Sequence, residues 1–299
     1  MAGWDVHTHL IPPTVLSAAH RGEFGLSIDD GRLVVDGQGL PLRRLAAPAA
    51  LLQWIADQDL DGAVVSVPPA LFRYDAGVDW AELVNQGLRE LATPQLRVLG
   101  HLPLLDAAAP AVAAGLAREG VFSGFAIGTP GYAGLDPLWR ILDDIGAFTL
   151  VHPGLSDDER LESFYLSNLL GNPYETGLAA AALVFADVPG RFPGIRFCLC
   201  HGGGVTAAVA GRWQRGIDRE RPGIEPVSLP VAEALRRFYV DDLVHDDAVL
   251  DLLTKTFGAD RVLAGSDWPF PMGSDAVDAR RSAAAGELTR PLAKEVAAW

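Results

Sequence analysis

The chain has 299 residues, 49% hydrophobic and 21% charged. That is a globular composition, long enough for one sizeable core and far from the disordered or fibrous classes. The formal charge of −14, with 24 basic against 38 acidic residues and only Lys255 and Lys294 as lysines, argues against nucleic acid and anionic membrane surfaces as partners. No apolar run has the length of a membrane span.

In chain order, Trp4–Leu10 reads as a short strand that ends in His7 and His9 and is closed by Pro12-Pro13. A long excursion follows (about 14–45), with a small hairpin turning at Asp30-Gly31. Pro48 opens a helix to about Gln58, and Ala63–Val67 is a buried strand. Then come a helix over 78–92, a strand over 97–104, a helix over 106–118 and a strand over 122–128. A helix over 135–146 leads to the strand Ala147–Val151, with His152 at its tip. Residues 157–190 read as mostly helical, before the strand Ile195–Cys200 and the run His201-Gly202-Gly203-Gly204. A helix over 205–217, a strand Phe238–Val240 ending in Asp241-Asp242, and a helix over 246–257 come next. The last strand is Arg261–Ala264, with Gly265-Ser266-Asp267 at its end and a helical tail over about 274–298.

Eight short apolar strands alternating with helices predict a single (β/α)8 TIM-type barrel spanning 1–299, distorted by the insertion after strand 1. An open doubly wound sheet would want a glycine-rich phosphate loop after an early strand, and the sequence has none.

In a barrel the strand ends meet at one mouth, so His9, His152, His201 and Asp267 share a topological address. The two-residue strand repeat sends His7 and His9 off the same face, ready to grip one ion. With His152 and Asp267 they make a borderline donor set suited to Zn, and able to take Mn, Co or Fe. Asp267 reads either as a ligand or as a proton acceptor. His201 reads either as a ligand or as an acid–base group, with three following glycines that let backbone approach a bound molecule. Asp241 and Asp242 read as orienting residues or caps. The fourth strand offers no lysine to bridge two metals, so one ion per chain is expected. His101 is a pocket-facing alternative, and His20 and His245 read as structural or surface groups. Cys198 and Cys200, two apart on a strand, do not bridge, and the first residues form no secretory leader, so a reduced, cytoplasmic setting is expected.

The motifs DVHTHLIPP (5–13), HPG (152–154), FCLCHGGG (197–204), YVDDLVHD (239–246) and GSDWPFPMG (265–273) together resemble the amidohydrolase-related decarboxylase family. The resemblance implies a mononuclear zinc site on His7, His9, His152 and Asp267, His201 as the acid–base residue, and a homodimer. It places Arg212 on an arginine that reaches a neighbouring subunit's site, and Arg43 or Arg44 on a second carboxylate-binding arginine. The implied activity is non-oxidative decarboxylation of an unsaturated or aromatic carboxylic acid, using a metal-bound water. The alternatives are a hydrolase or hydratase on the same site, and a metal-binding protein without turnover. Gly154 and Val205-Thr206-Ala207-Ala208 depart from the bulkier residues of the nearest relatives. Phe72 and Tyr74 are expected to supply the aromatic wall instead, and Phe72 and Trp268 to contact substrate.

Overall fold

The structure, a computed structural model, describes residues 3–154, 156 and 158–292. The chain divides into two compact units: Met1–Ile127 with Ala264–Trp299, and Gly128–Leu263.

The first unit opens with β1 (Trp4–His9), all six residues buried. It continues with α1 (Pro13–Arg21), the antiparallel strands β2 (Ser27–Asp29), β3 (Arg32–Val35) and β4 (Gln38–Pro41), then α2 (Leu42–Leu45) and α3 (Pro48–Asp57). After them β5 (Gly62–Ser66), α4 (Gly77–Leu91), β6 (Leu96–His101), α5 (Ala109–Glu119) and β7 (Phe122–Ile127) alternate. The second unit holds α6 (Asp136–Asp144), β8 (Phe148–Val151), α7 (Asn172–Phe185), α8 (Val188–Arg191), β9 (Arg196–Leu199) and α9 (Thr206–Asp218). It ends with α10 (Val231–Leu235), β10 (Tyr239–Asp241), α11 (Asp247–Phe257) and β11 (Val262–Leu263). The chain then returns to the first unit for α12 (Ala279–Leu288).

The main sheet has eight strands in the order β1-β5-β6-β7-β8-β9-β10-β11, so sheet neighbours follow chain order with helices between them. This is a distorted (β/α)8 barrel, interrupted after β1 by the small sheet β2-β3-β4. Strands covered on both faces bury every residue, and β5, β7 and β8 do so like β1. Within the first unit, Val6 N–H donates to the Ala264 carbonyl (3.0 Å) and His9 N–H to the Trp268 carbonyl (2.8 Å), tying β1 to the segment after β11.

Several boundaries differ from the sequence reading. The insertion is not irregular from residue 14: α1 occupies its first third, with Pro13 at its N-terminus and Gly22 closing it in the left-handed region. Its apolar face is only Val15, Ala18 and Ala19, too thin a stripe to stand out from sequence. The hairpin turn at Asp30-Gly31 is present, both residues at positive φ, and a second turn of the same kind at Asp36-Gly37 adds the third strand. The predicted strand over 97–104 stops at His101, because Pro103 cannot donate to a ladder. The helix read at 106–118 starts at Ala109. Over 159–171 the expected long helix is broken into short 3-10 and π turns, with α7 beginning only at Asn172. Of the helical tail, 279–288 is helix, and 293–298 lies outside the described residues.

Candidate metal centre

β1 delivers His7 and His9 side by side, as the two-residue repeat requires. Their Nε2 atoms are 3.1 Å apart, with ring centroids 5.1 Å apart at 80°. The backbone after β11 brings Asp267 to the same point. Its N–H donates to the His7 carbonyl (2.8 Å), and its φ of 58° turns the chain there. Asp267 Oδ1 lies 3.3 Å from His7 Nε2 and 3.1 Å from His9 Nε2. All three residues are buried.

This triangle fits a divalent ion. Three donors around a tetrahedral zinc with bonds of about 2.0 Å stand roughly 3.3 Å apart, and around an octahedral ion with bonds of about 2.1 Å roughly 3.0 Å apart. Two imidazole lone pairs and a carboxylate oxygen at such separations repel unless a cation lies among them. The second nitrogen of His9 fixes its tautomer. Nδ1 faces the Val67 carbonyl (3.2 Å) and Ser66 Oγ (3.1 Å), so the proton sits there and the Nε2 lone pair points to the triangle. Burial pushes the His9 pKa below its ordinary value, against the upward pull of Asp267, which favours the neutral ring.

Asp5 braces this arrangement, and the sequence reading had not singled it out. Its Oδ1 accepts from the backbone N–H of His7 (3.1 Å) and of Ser266 (3.0 Å), while Oδ2 accepts from Ser266 Oγ. One buried carboxylate thus joins the two segments that carry the donors. Burial pushes the Asp5 carboxyl up to about 6, against the lowering effect of those hydrogen bonds. Phe270, also unforeseen, packs edge-on to His9 with centroids 5.3 Å apart.

The second unit carries its own pair. His152 follows β8 and His201 follows β9, with ring centroids 5.2 Å apart at 73°. His152 is buried, and its Nδ1 contacts the Pro153 carbonyl at 2.8 Å, which puts the proton on Nδ1 and makes Nε2 the candidate donor atom. His201 begins four consecutive residues at positive φ (53°, 60°, 74° and 60°). At Gly204 a Cβ would lie 2.0 Å from the Pro173 carbonyl oxygen, so only glycine fits. Asp241, read as an orienting residue or a cap, is fully buried and accepts from Gly202 N–H (2.8 Å) and Leu243 N–H (3.3 Å).

The remaining candidates divide. Phe72 and Trp268 are buried, and Phe72 stacks with Tyr74 and His101. Arg43 and Arg44 are exposed on α2, and Arg212 is exposed on α9. Arg212 lines a groove of about 510 Å³ with apolar neighbours such as Tyr174, Leu178 and Trp213, not with His152 and His201. His20 and His245 are exposed, and both cysteines are free and buried. β7 carries no lysine. Among the described residues no helix is long and apolar enough to cross a membrane.

The amidohydrolase family model matches residues 4–299. The chain is 27% identical over 304 residues to 2-amino-3-carboxymuconate-6-semialdehyde decarboxylase of Dictyostelium discoideum, covering 90% of this chain and 82% of that protein. In structure it resembles IDCase of Metarhizium anisopliae, with a TM-score of 0.77, 21% identity, and coverage of 96% and 89% of the two chains. It also resembles the 5-carboxyvanillate decarboxylase of Novosphingobium aromaticivorans, solved with manganese and a nitrobenzoic acid, with a TM-score of 0.70, 18% identity, and coverage of 91% and 87%.

Proposed function

The chain belongs to the amidohydrolase family, and from that premise we propose that it is a metal-dependent, non-oxidative decarboxylase of an unsaturated or aromatic carboxylic acid. The donor triangle of His7, His9 and Asp267 carries the metal dependence, and the decarboxylases it resembles supply the reaction class. In this reading His7, His9, His152 and Asp267 would hold one divalent ion, and His201 would serve as the acid–base group. Zinc suits three imidazoles and a carboxylate, and the manganese held by a structural relative names the alternative ion.

When bound, the ion supplies Lewis acidity and lowers the pKa of water in the site toward neutrality. His201, as the acid–base group, would deliver its proton to the carbon bearing the carboxylate. The C–CO₂ bond then breaks, its electron pair returns to the conjugated system, and CO₂ leaves. The glycines after His201 hold the imidazole on a turn fixed by Asp241, so proton transfer needs no rearrangement of the strand. Trp268 and Phe72 wall the substrate, and Arg43 or Arg44 pairs with its carboxylate.

Arg212 serves the site of a second copy in a homodimer. Its exposure and its apolar groove support this, as do the exposed Phe164, Tyr165, Leu169, Leu170, Tyr174 and Leu178 in the same unit. The −14 charge argues against nucleic acid and anionic membrane surfaces as partners, and two free buried thiols suit the reducing cytoplasm.

The test is to incubate the metal-loaded protein with unsaturated and aromatic acids carrying a ¹³C-labelled carboxylate. Release of ¹³CO₂ with one equivalent of decarboxylated product is expected. A product that retains the label and has gained water would replace this reading with hydrolysis or hydration.

A further inference from the structure

β6 ends at His101 in an arrangement that the metal chemistry does not use. Its backbone is pinned at both groups by the buried Asn85: His101 N–H donates to Oδ1 (2.8 Å) and the His101 carbonyl accepts from Nδ2 (2.8 Å). Its neighbour Gly100 faces α5, where a Cβ would meet Leu116 at 3.0 Å. Strand alternation therefore turns His101 away from the helix layer, into the barrel interior.

There the imidazole lies parallel to Phe72 and Tyr74, within 9° and 8°. The three centroid separations are 5.9, 6.1 and 5.8 Å. A column of three rings would set its outer pair at twice the spacing of neighbours, so these near-equal distances exclude a column and leave three parallel, mutually slipped rings, which together form a wall. Phe72 and Tyr74 sit on the connection leaving β5, just beyond Val67, whose carbonyl faces His9 Nδ1. The wall and the donor triangle therefore rise from the same ends of β1, β5 and β6 within one unit.

Among the described residues neither ring nitrogen of His101 meets a hydrogen-bond partner, and Nδ1 is sealed from solvent. Burial pushes its pKa down to about 3, so the ring is neutral. A sealed N–H with no acceptor costs more than a sealed lone pair, so the proton belongs on Nε2. We propose that His101 is a specificity-determining residue: its Nε2–H donates to an uncharged oxygen, a hydroxyl or carbonyl, on a flat conjugated acid lying against Phe72 and Tyr74. An uncharged donor does little to offset a carboxylate, which is arginine's part, so the group it reads is neutral. The inference rests on the decarboxylase reading above and names the substrate feature that this site selects.

The experiment titrates metal-loaded protein calorimetrically with benzoate and with its 2-, 3- and 4-hydroxy derivatives. At least one hydroxy acid is expected to bind about tenfold or more tightly than benzoate, because a site built around a hydrogen bond rejects the analogue lacking it. In His101→Phe that preference should fall to within about twofold. In ¹⁵N-histidine-labelled wild type, the preferred acid should shift the His101 ring nitrogens and benzoate should not. That reading stands whether or not His101→Phe folds. No preference in wild type, a preference that survives His101→Phe, or unmoved His101 resonances would overturn the inference alone. Failure of every acid to bind the metal-loaded protein would remove the decarboxylase reading, and this inference with it.

Discussion

The end of β1 and the turn after β9 both present histidines, yet they are built in opposite ways. His7 and His9 sit in extended, fully buried strand, and Asp5 and Ser66 tie down their surroundings. His201 heads a run of four left-handed residues that one carboxylate, Asp241, holds in place. In the proposed function this contrast corresponds to two tasks. Holding an ion wants donors on rigid backbone with fixed tautomers. Moving a proton wants a ring at the apex of a turn, where glycine lets the chain crowd the reacting groups.

The contrast breaks most visibly at Asp267. Asp267→Ala removes one vertex of the donor triangle and should strip the protein of metal, weakening affinity beyond the 10–100-fold typical of supporting residues; metal analysis after dialysis checks this. His201→Asn should keep most of the metal and lower turnover by about 10²–10⁴, the range for a lost acid–base group. Metal loss in that variant would move His201 to the ligand side of the comparison. Asp241→Ala leaves two buried N–H groups without an acceptor. It should lower stability by about 2–5 kcal/mol in denaturant unfolding, with turnover falling more than metal affinity.

The smallest effect concerns His101. A pKa near 3 in the folded state, against about 6.5 when unfolded, means the unfolded chain binds the extra proton between those values. Stability should therefore fall as pH drops below about 6.5. At pH 5 the contribution lost is about 2 kcal/mol. His101→Phe should show a correspondingly shallower decline in unfolding measured from pH 7 to 5.

What could be read in the sequence follows from how local each signal is. His-x-His on an apolar strand and Asp267 after a strand end are local facts, and chain order alone sends strand ends to one rim. The hairpin turn at Asp30-Gly31 was readable because that dipeptide suits φ > 0 at both positions. The bracing of His7 and Ser266 by Asp5 joins residues 261 apart, and no period in the sequence marks it. Phe270 against His9 and the pinning of His101 by Asn85 are equally non-local. Helix α1 did leave signals, a proline at its start and a glycine beyond its end, but Pro12-Pro13 reads just as well as the close of a strand. Arg73 shows the same limit: it pairs both side-chain oxygens of Asp36 and the Phe24 carbonyl, fastening the insertion to the connection after β5.

The most direct test is native mass spectrometry of the purified protein loaded with zinc or manganese, beside Asp267→Ala and His7→Ala. One ion per wild-type chain, absent from both variants, is the expected result. Wild-type protein that stays metal-free under these conditions while still releasing CO₂ would contradict it.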